Sequence, residues 1–92
     1  MDVYAQMVEN IIKQQEEIIG PVAVEQAKQV STLKVDWPQH KVSVSGDPQT
    51  AVDQLVEKYE DLFGPIAVET CKDAAHKLLT QLPAEKQPHS LQ

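Results

Sequence analysis

A chain of 92 residues with a net charge of −6, eight lysines and no arginine fits one small acidic domain. It lacks the basic face needed to hold a nucleic acid or an anionic membrane surface. Four aromatics, Tyr4, Trp37, Tyr59 and Phe63, leave the interior to Val, Ile, Leu and Ala. The single cysteine, Cys71, excludes an intrachain disulfide, and no apolar run is long enough to cross a bilayer.

From Tyr4 onward the apolar residues Tyr4, Met7, Val8, Ile11, Ile12, Ile18 and Ile19 follow the i, i+3, i+4, i+7 spacing of an amphipathic helix, with Gln15 interrupting the stripe. Gly20-Pro21 then punctuates the chain. Pro21 has no N–H for the carbonyl four residues back, and its ring drives the preceding residue out of the α region. Glycine accepts that push at the least steric cost. The pair therefore either ends one helix and starts the next or kinks one long helix. Glu16 and Glu17 would sit unfavourably at a helix C-terminus, and a closely following N-terminus would offset part of that, so the charges favour a fresh start. The next segment carries Ala23, Ala27 and Val30, small residues at helical spacing that let two helices approach closely.

In residues 31–46, Val35 and Trp37, then Val42 and Val44, alternate with polar residues, and Pro38-Gln39 can turn the chain. A short β-hairpin and an extended linker both fit. Two strands alone are marginal, so a hairpin would need the helices as a platform.

Asp47-Pro48 supplies an N-cap and a first-turn proline for a third helix, whose stripe is Ala51, Val52, Leu55, Val56, Tyr59, Leu62 and Phe63. Gly64-Pro65 repeats the punctuation. A fourth helix follows with Ala67, Cys71, Ala74, Ala75, Leu78, Leu79 and Leu82, stopped by Pro83. The remaining residues are polar and are expected to fray.

Internal repetition is the strongest signal. Placing Gly20 over Gly64 aligns residues 8–30 with 52–74 without a gap. Val8/Val52, Glu16/Glu60, Pro21/Pro65, Ala23/Ala67, Val24/Val68, Glu25/Glu69 and Lys28/Lys72 are identical, and Ile11/Leu55, Ile12/Val56, Glu17/Asp61, Ile18/Leu62, Ile19/Phe63 and Val22/Ile66 are conservative. The expected molecule is one mainly α domain over residues 1–92, a compact four-helix arrangement of two helix–GP–helix repeats. Repeat one spans 2–30, the connector 31–46, repeat two 47–82 and a flexible tail 83–92.

No motif carries chemistry. There is no Gly-rich phosphate loop, and Ser31, Ser43, Ser45 and Ser90 lie outside any G-x-S-x-G context. Glu69, Asp73 and His76 share one helix face, which fits a metal or proton-transfer site or a solvated face. Repeat one has Glu25 and Gln29 at the first two places, so the set is not repeated and the solvated face is favoured. Cys71 aligns with Ala27, which favours a small helix-contact position over a redox-sensitive thiol. Gly20, Pro21, Gly64 and Pro65 form the structural motif. Trp37, Tyr59 and Phe63 are the candidate partner contacts, aromatics being enriched at binding hot spots, although for Trp37 covering the helices from the connector is the favoured role. No catalytic, cofactor-binding or metal-binding residue is assigned, and no enzymatic activity is expected.

Leu62-Phe63-Gly64-Pro65-Ile66-Ala67, followed by Leu78-Leu79-Thr80-Gln81-Leu82-Pro83, resembles a small helical domain found at the C-terminal ends of bacterial signalling proteins. These include cyanobacterial serine/threonine kinases and response regulators. The similarity covers about half the chain; here the motif occurs twice, and these 92 residues hold no kinase or receiver domain. The resemblance implies a regulatory or interaction module and supplies no catalytic residue. The expected function is a non-catalytic protein-interaction or dimerisation module in bacterial signalling or complex assembly. Its expected partner is a protein, a homodimer being the commonest case, with no nucleic acid and no membrane insertion. The start Met1-Asp2-Val3-Tyr4 does not read as a signal peptide, so the cytosol is the expected location. The alternative is a sensor that binds a small apolar molecule between the repeats.

Overall fold

A computed structural model describes residues 2–92. Four helices and one antiparallel hairpin follow in the order α1 (Val3–Ile19), α2 (Val22–Lys28), β1 (Leu33–Asp36), β2 (Lys41–Val44), α3 (Pro48–Phe63) and α4 (Pro65–Leu79). Two 3₁₀ turns, Ala84–Lys86 and His89–Leu91, close the chain.

The two long first helices start alike. The Asp2 carboxylate accepts from the Tyr4 backbone N–H at 2.9 Å, and the Asp47 carboxylate accepts from that of Gln49 at 3.1 Å. Each thereby satisfies one of the donors that a helix start leaves unpaired. They also end alike. Gly20 (φ 74°, ψ −154°) and Gly64 (φ 79°, ψ −167°) each donate their N–H to a carbonyl one turn back, of Glu16 and Glu60, at 2.8 Å. This backbone region is open essentially to glycine alone. The Gly-Pro pairs are therefore true breaks, as the charge argument favours, and the chain turns sharply into α2 and α4.

Burial repeats with the sequence. Met7, Val8, Ile11, Ile12, Ala23 and Ala27 are buried, and so are their counterparts Ala51, Val52, Leu55, Val56, Ala67 and Cys71. Each large aliphatic side chain fully withdrawn from water contributes roughly 1.5–3 kcal/mol, so matching stripes supply matching halves of one core. α1 packs chiefly on α4, the second helix of the other repeat, and α3 packs on both α4 and α2. α4 runs to Leu79, whereas α2 stops at Lys28. Past that point repeat one reads Val30-Ser31-Thr32, poor helix formers, where repeat two reads Ala74-Ala75-His76.

The connector forms the hairpin. Leu33 pairs with Val44 and Val35 with Val42, which puts the apolar residues on one face, with Leu33 and Val42 buried. β2 lies against α1 and β1 against α2, the platform that so short a ribbon needs. The turn runs through Pro38-Gln39 and closes with the His40 N–H donating to the Trp37 carbonyl at 2.8 Å.

The expectation of a frayed tail is corrected. Leu91 is buried, and the Tyr4 hydroxyl donates to the Lys86 carbonyl at 2.7 Å. The Ser90 N–H and hydroxyl both donate to Asp53 Oδ1, at 3.0 and 2.6 Å. The tail is polar in composition, but Leu91 meets α3 and α4, and its backbone groups find side-chain partners.

Candidate functional site

Two of the three aromatic partner candidates are removed from any docking surface. Tyr59 is 0% exposed, and its hydroxyl donates to the Ala23 carbonyl of α2 at 2.7 Å. Burial pushes its pKa well above the ordinary phenol value. Trp37 is 7% exposed and donates its indole N–H to Glu16 Oε2 at 3.0 Å, pinning the hairpin tip to the last turn of α1. It acts as the cover that the connector reading allowed. Phe63 alone of the three remains accessible, at 39%.

Gln15, which interrupts the apolar stripe of α1 in the sequence, is buried like its counterpart Tyr59. Its amide donates to Thr70 Oγ1 at 2.6 Å and to Cys71 Sγ at 3.6 Å, and the Thr70 hydroxyl donates onward to the Ala67 carbonyl at 2.9 Å. The two equivalent positions thus make a reciprocal exchange: Gln15 reaches α4 and Tyr59 reaches α2. A buried amide needs partners, and Thr70 supplies them from the other repeat. Burial pushes the Cys71 thiol up to about 12, against a smaller downward effect of the Gln15 hydrogen bond. A thiol this far from ionisation at neutral pH is a packing group and a poor nucleophile.

Glu69, Asp73 and His76 are all exposed, and Glu69 lies 3.9 Å from Lys72. Among the described residues, no cluster of three or more His, Cys, Asp or Glu side chains could hold a metal ion, and no helix is long and apolar enough to cross a membrane.

The Gly-Pro corners hold what the sequence stripe did not distinguish from core. Among the described residues, the exposed large apolar side chains are Ile18, Val22, Leu62, Phe63 and Ile66, with Ile66 at 69%. All lie within two residues of Gly20 or Gly64. They fall at equivalent places in the two repeats, Ile18 with Leu62 and Val22 with Ile66, while Phe63 matches the half-buried Ile19. Ile18, Ile19, Phe63, Ile66 and Ala67 wall a groove of about 280 Å³ between the repeats, with Gln15 and Thr70 also lining it. The signal available from sequence was position: a stripe that runs through a chain reversal cannot all face inward, because the reversal carries its end off the core.

Comparison with known protein families, with curated proteins and with solved structures finds no match to this chain.

Proposed function

We propose that the chain is a non-catalytic protein-interaction or dimerisation module whose working surface is the apolar end formed by the two Gly-Pro corners. The carrying observation is that, among the described residues, every exposed large apolar side chain sits there, four of the five in pairs that follow the internal repeat. Concentrated apolar exposure of this kind marks an interaction surface, whereas single scattered residues do not. The resemblance of the Leu62–Ala67 segment to domains of bacterial signalling proteins supports a cytosolic role in signalling or complex assembly. Replacing Leu62 and Ile66 with Ser tests the reading. Self-association or partner retention should be lost while the thermal melt is unchanged. Retention of both in the double variant overturns it.

A second reading, a sensor for a small apolar molecule, draws on the groove between the repeats. Its volume of about 280 Å³ lies near the lower edge for small-molecule sites, and Gln15 and Thr70 offer polar groups to orient a ligand. A thermal-shift screen of apolar compounds, repeated on Ala67→Leu to narrow the groove, tests it. Hits that ignore the substitution count against it.

A further inference from the structure

We infer that the occupant of the Gly-Pro end is a basic amphipathic helix of another protein, an inference that rests on the interaction-module reading above. The apolar residues there are flanked along the chain by acid. No lysine falls between Lys13 and Lys28 or between Lys58 and Lys72, and those two stretches contain Glu16, Glu17, Glu25, Glu60, Asp61 and Glu69. Among the described residues only Glu69 has a cation within 4.0 Å. Glu16 is held by Trp37, which leaves Glu17, Glu25, Glu60 and Asp61 without an ionic partner.

Two of these acids in each repeat stand in the last turn of α1 or α3, where no basic residue is present. Carboxylates at a helix C-terminus oppose the macrodipole. The same pairing, Glu16-Glu17 and Glu60-Asp61, recurs at both corners. A placement that works against the helix and is kept in both copies fits a ligand of positive charge.

Charge complementarity also selects among occupants. A second copy would bring like rims together, and an anionic membrane would be repelled. A small apolar molecule in the groove would cover neither Leu62 nor Val22, which lie outside its walls. The surface is built from helices and offers no strand edge, so an added strand has nothing to pair with there. An apolar stripe flanked by Lys or Arg, laid on as a helix, suits both the apolar centre and the acids that neighbour it along α1 and α3.

The test uses three synthetic peptides of one length: a Leu/Lys amphipathic helix, the same residues scrambled, and a Leu/Glu helix of the same stripe. Binding to the full chain is read by fluorescence anisotropy. The Leu/Lys helix should bind, and its affinity should fall about thirtyfold on Ile66→Asp, the measure of losing one hot-spot anchor. The combined Glu17→Gln, Glu60→Gln and Asp61→Asn variant should bind about tenfold more weakly while melting no lower than the parent, which separates binding from folding. Equal binding of the scrambled or Leu/Glu peptide overturns the inference. A dimer dispersed by Ile66→Asp, with no peptide bound, overturns it but leaves the interaction module standing. A monomer that binds none of the peptides overturns both.

Discussion

The two repeats share a backbone plan but fill it with different chemistry. Position 59 holds a tyrosine whose ring and hydroxyl reach α2, while position 15 holds an amide that reaches α4 through Thr70. Position 71 holds a thiol where position 27 holds a methyl. Repeat one spends its remaining length on the hairpin, and repeat two on a longer α4 and a docked tail. What is held in common is local and steric: the Asp caps, the Gly-Pro break and the small residues of the second helices. The differences at positions 15/59 and at Cys71 face the other repeat, where a change on one side is answered by the other.

That comparison can be broken most forcefully at the exchanged pair. Tyr59→Ala should cost about 3–5 kcal/mol, as for other large buried aromatics. Gln15→Ala should cost about 1–3 kcal/mol, by leaving the Thr70 hydroxyl and a small void. Urea unfolding measures both. Equal losses would mean that the amide carries more of the core than its size indicates.

The Gly-Pro corners give the next test. A Cβ at either Gly20 or Gly64 meets no atom within 4 Å, so any cost is conformational. Gly20→Ala and Gly64→Ala should each destabilise by about 1–3 kcal/mol. Gly64→Val should do no better. Unequal values would show that the two breaks are not mechanically alike.

Cys71 provides a difference in pH dependence. Its pKa is raised by burial from the ordinary 9.0 to about 12. Below about pH 9 both folded and unfolded chains keep the proton. Between about 9 and 12 only the unfolded chain loses it, so stability falls with rising pH across that window. The slope is about 1.4 kcal/mol per pH unit for one proton. Tyr59 adds a loss of the same sign from about pH 10 upward. Cys71→Ala, which makes the position like Ala27, should flatten the pH 9–10 part of the curve in chemical denaturation. An unchanged slope would mean that the thiol is accessible when folded, and alkylation of the native protein would then be fast.

The smallest effect concerns the acids. Glu17→Gln and Asp61→Asn should each stabilise by about 0.3–1 kcal/mol at low ionic strength, by relieving the helix C-termini. A loss in one repeat alone would reveal a partner for that carboxylate.

Much of the fold was legible because its signals are short-ranged. The caps, the breaks and the stripes each depend on a few neighbouring residues, and the duplication doubled every one of them. Three features were not legible. Gln15 reads as a flaw in a stripe until Thr70 is known to face it. The tail reads as polar until Leu91 and Ser90 are seen to find α3. Tyr59 and Trp37 invite partner roles because aromatics do so on average, yet in a chain with four of them the interior claimed both. At the candidate site, Phe63 alone of the three aromatic candidates is exposed. Ile18, Leu62, Val22 and Ile66 were hidden within patterns that elsewhere mean core.

The reciprocal exchange at positions 15 and 59 bears on ancestry. α1 packs chiefly on α4 and α3 also meets α2, so each first helix touches the other repeat's second helix, and a single helix–GP–helix unit would leave part of its apolar flank uncovered. Two such units coming together would close each other. The gapless repeat marks the two units as copies of one, and each now covers the other within a single chain. A side chain in one copy can differ from its twin because the other copy supplies its partner, as Thr70 does for Gln15 and the Ala23 carbonyl for Tyr59.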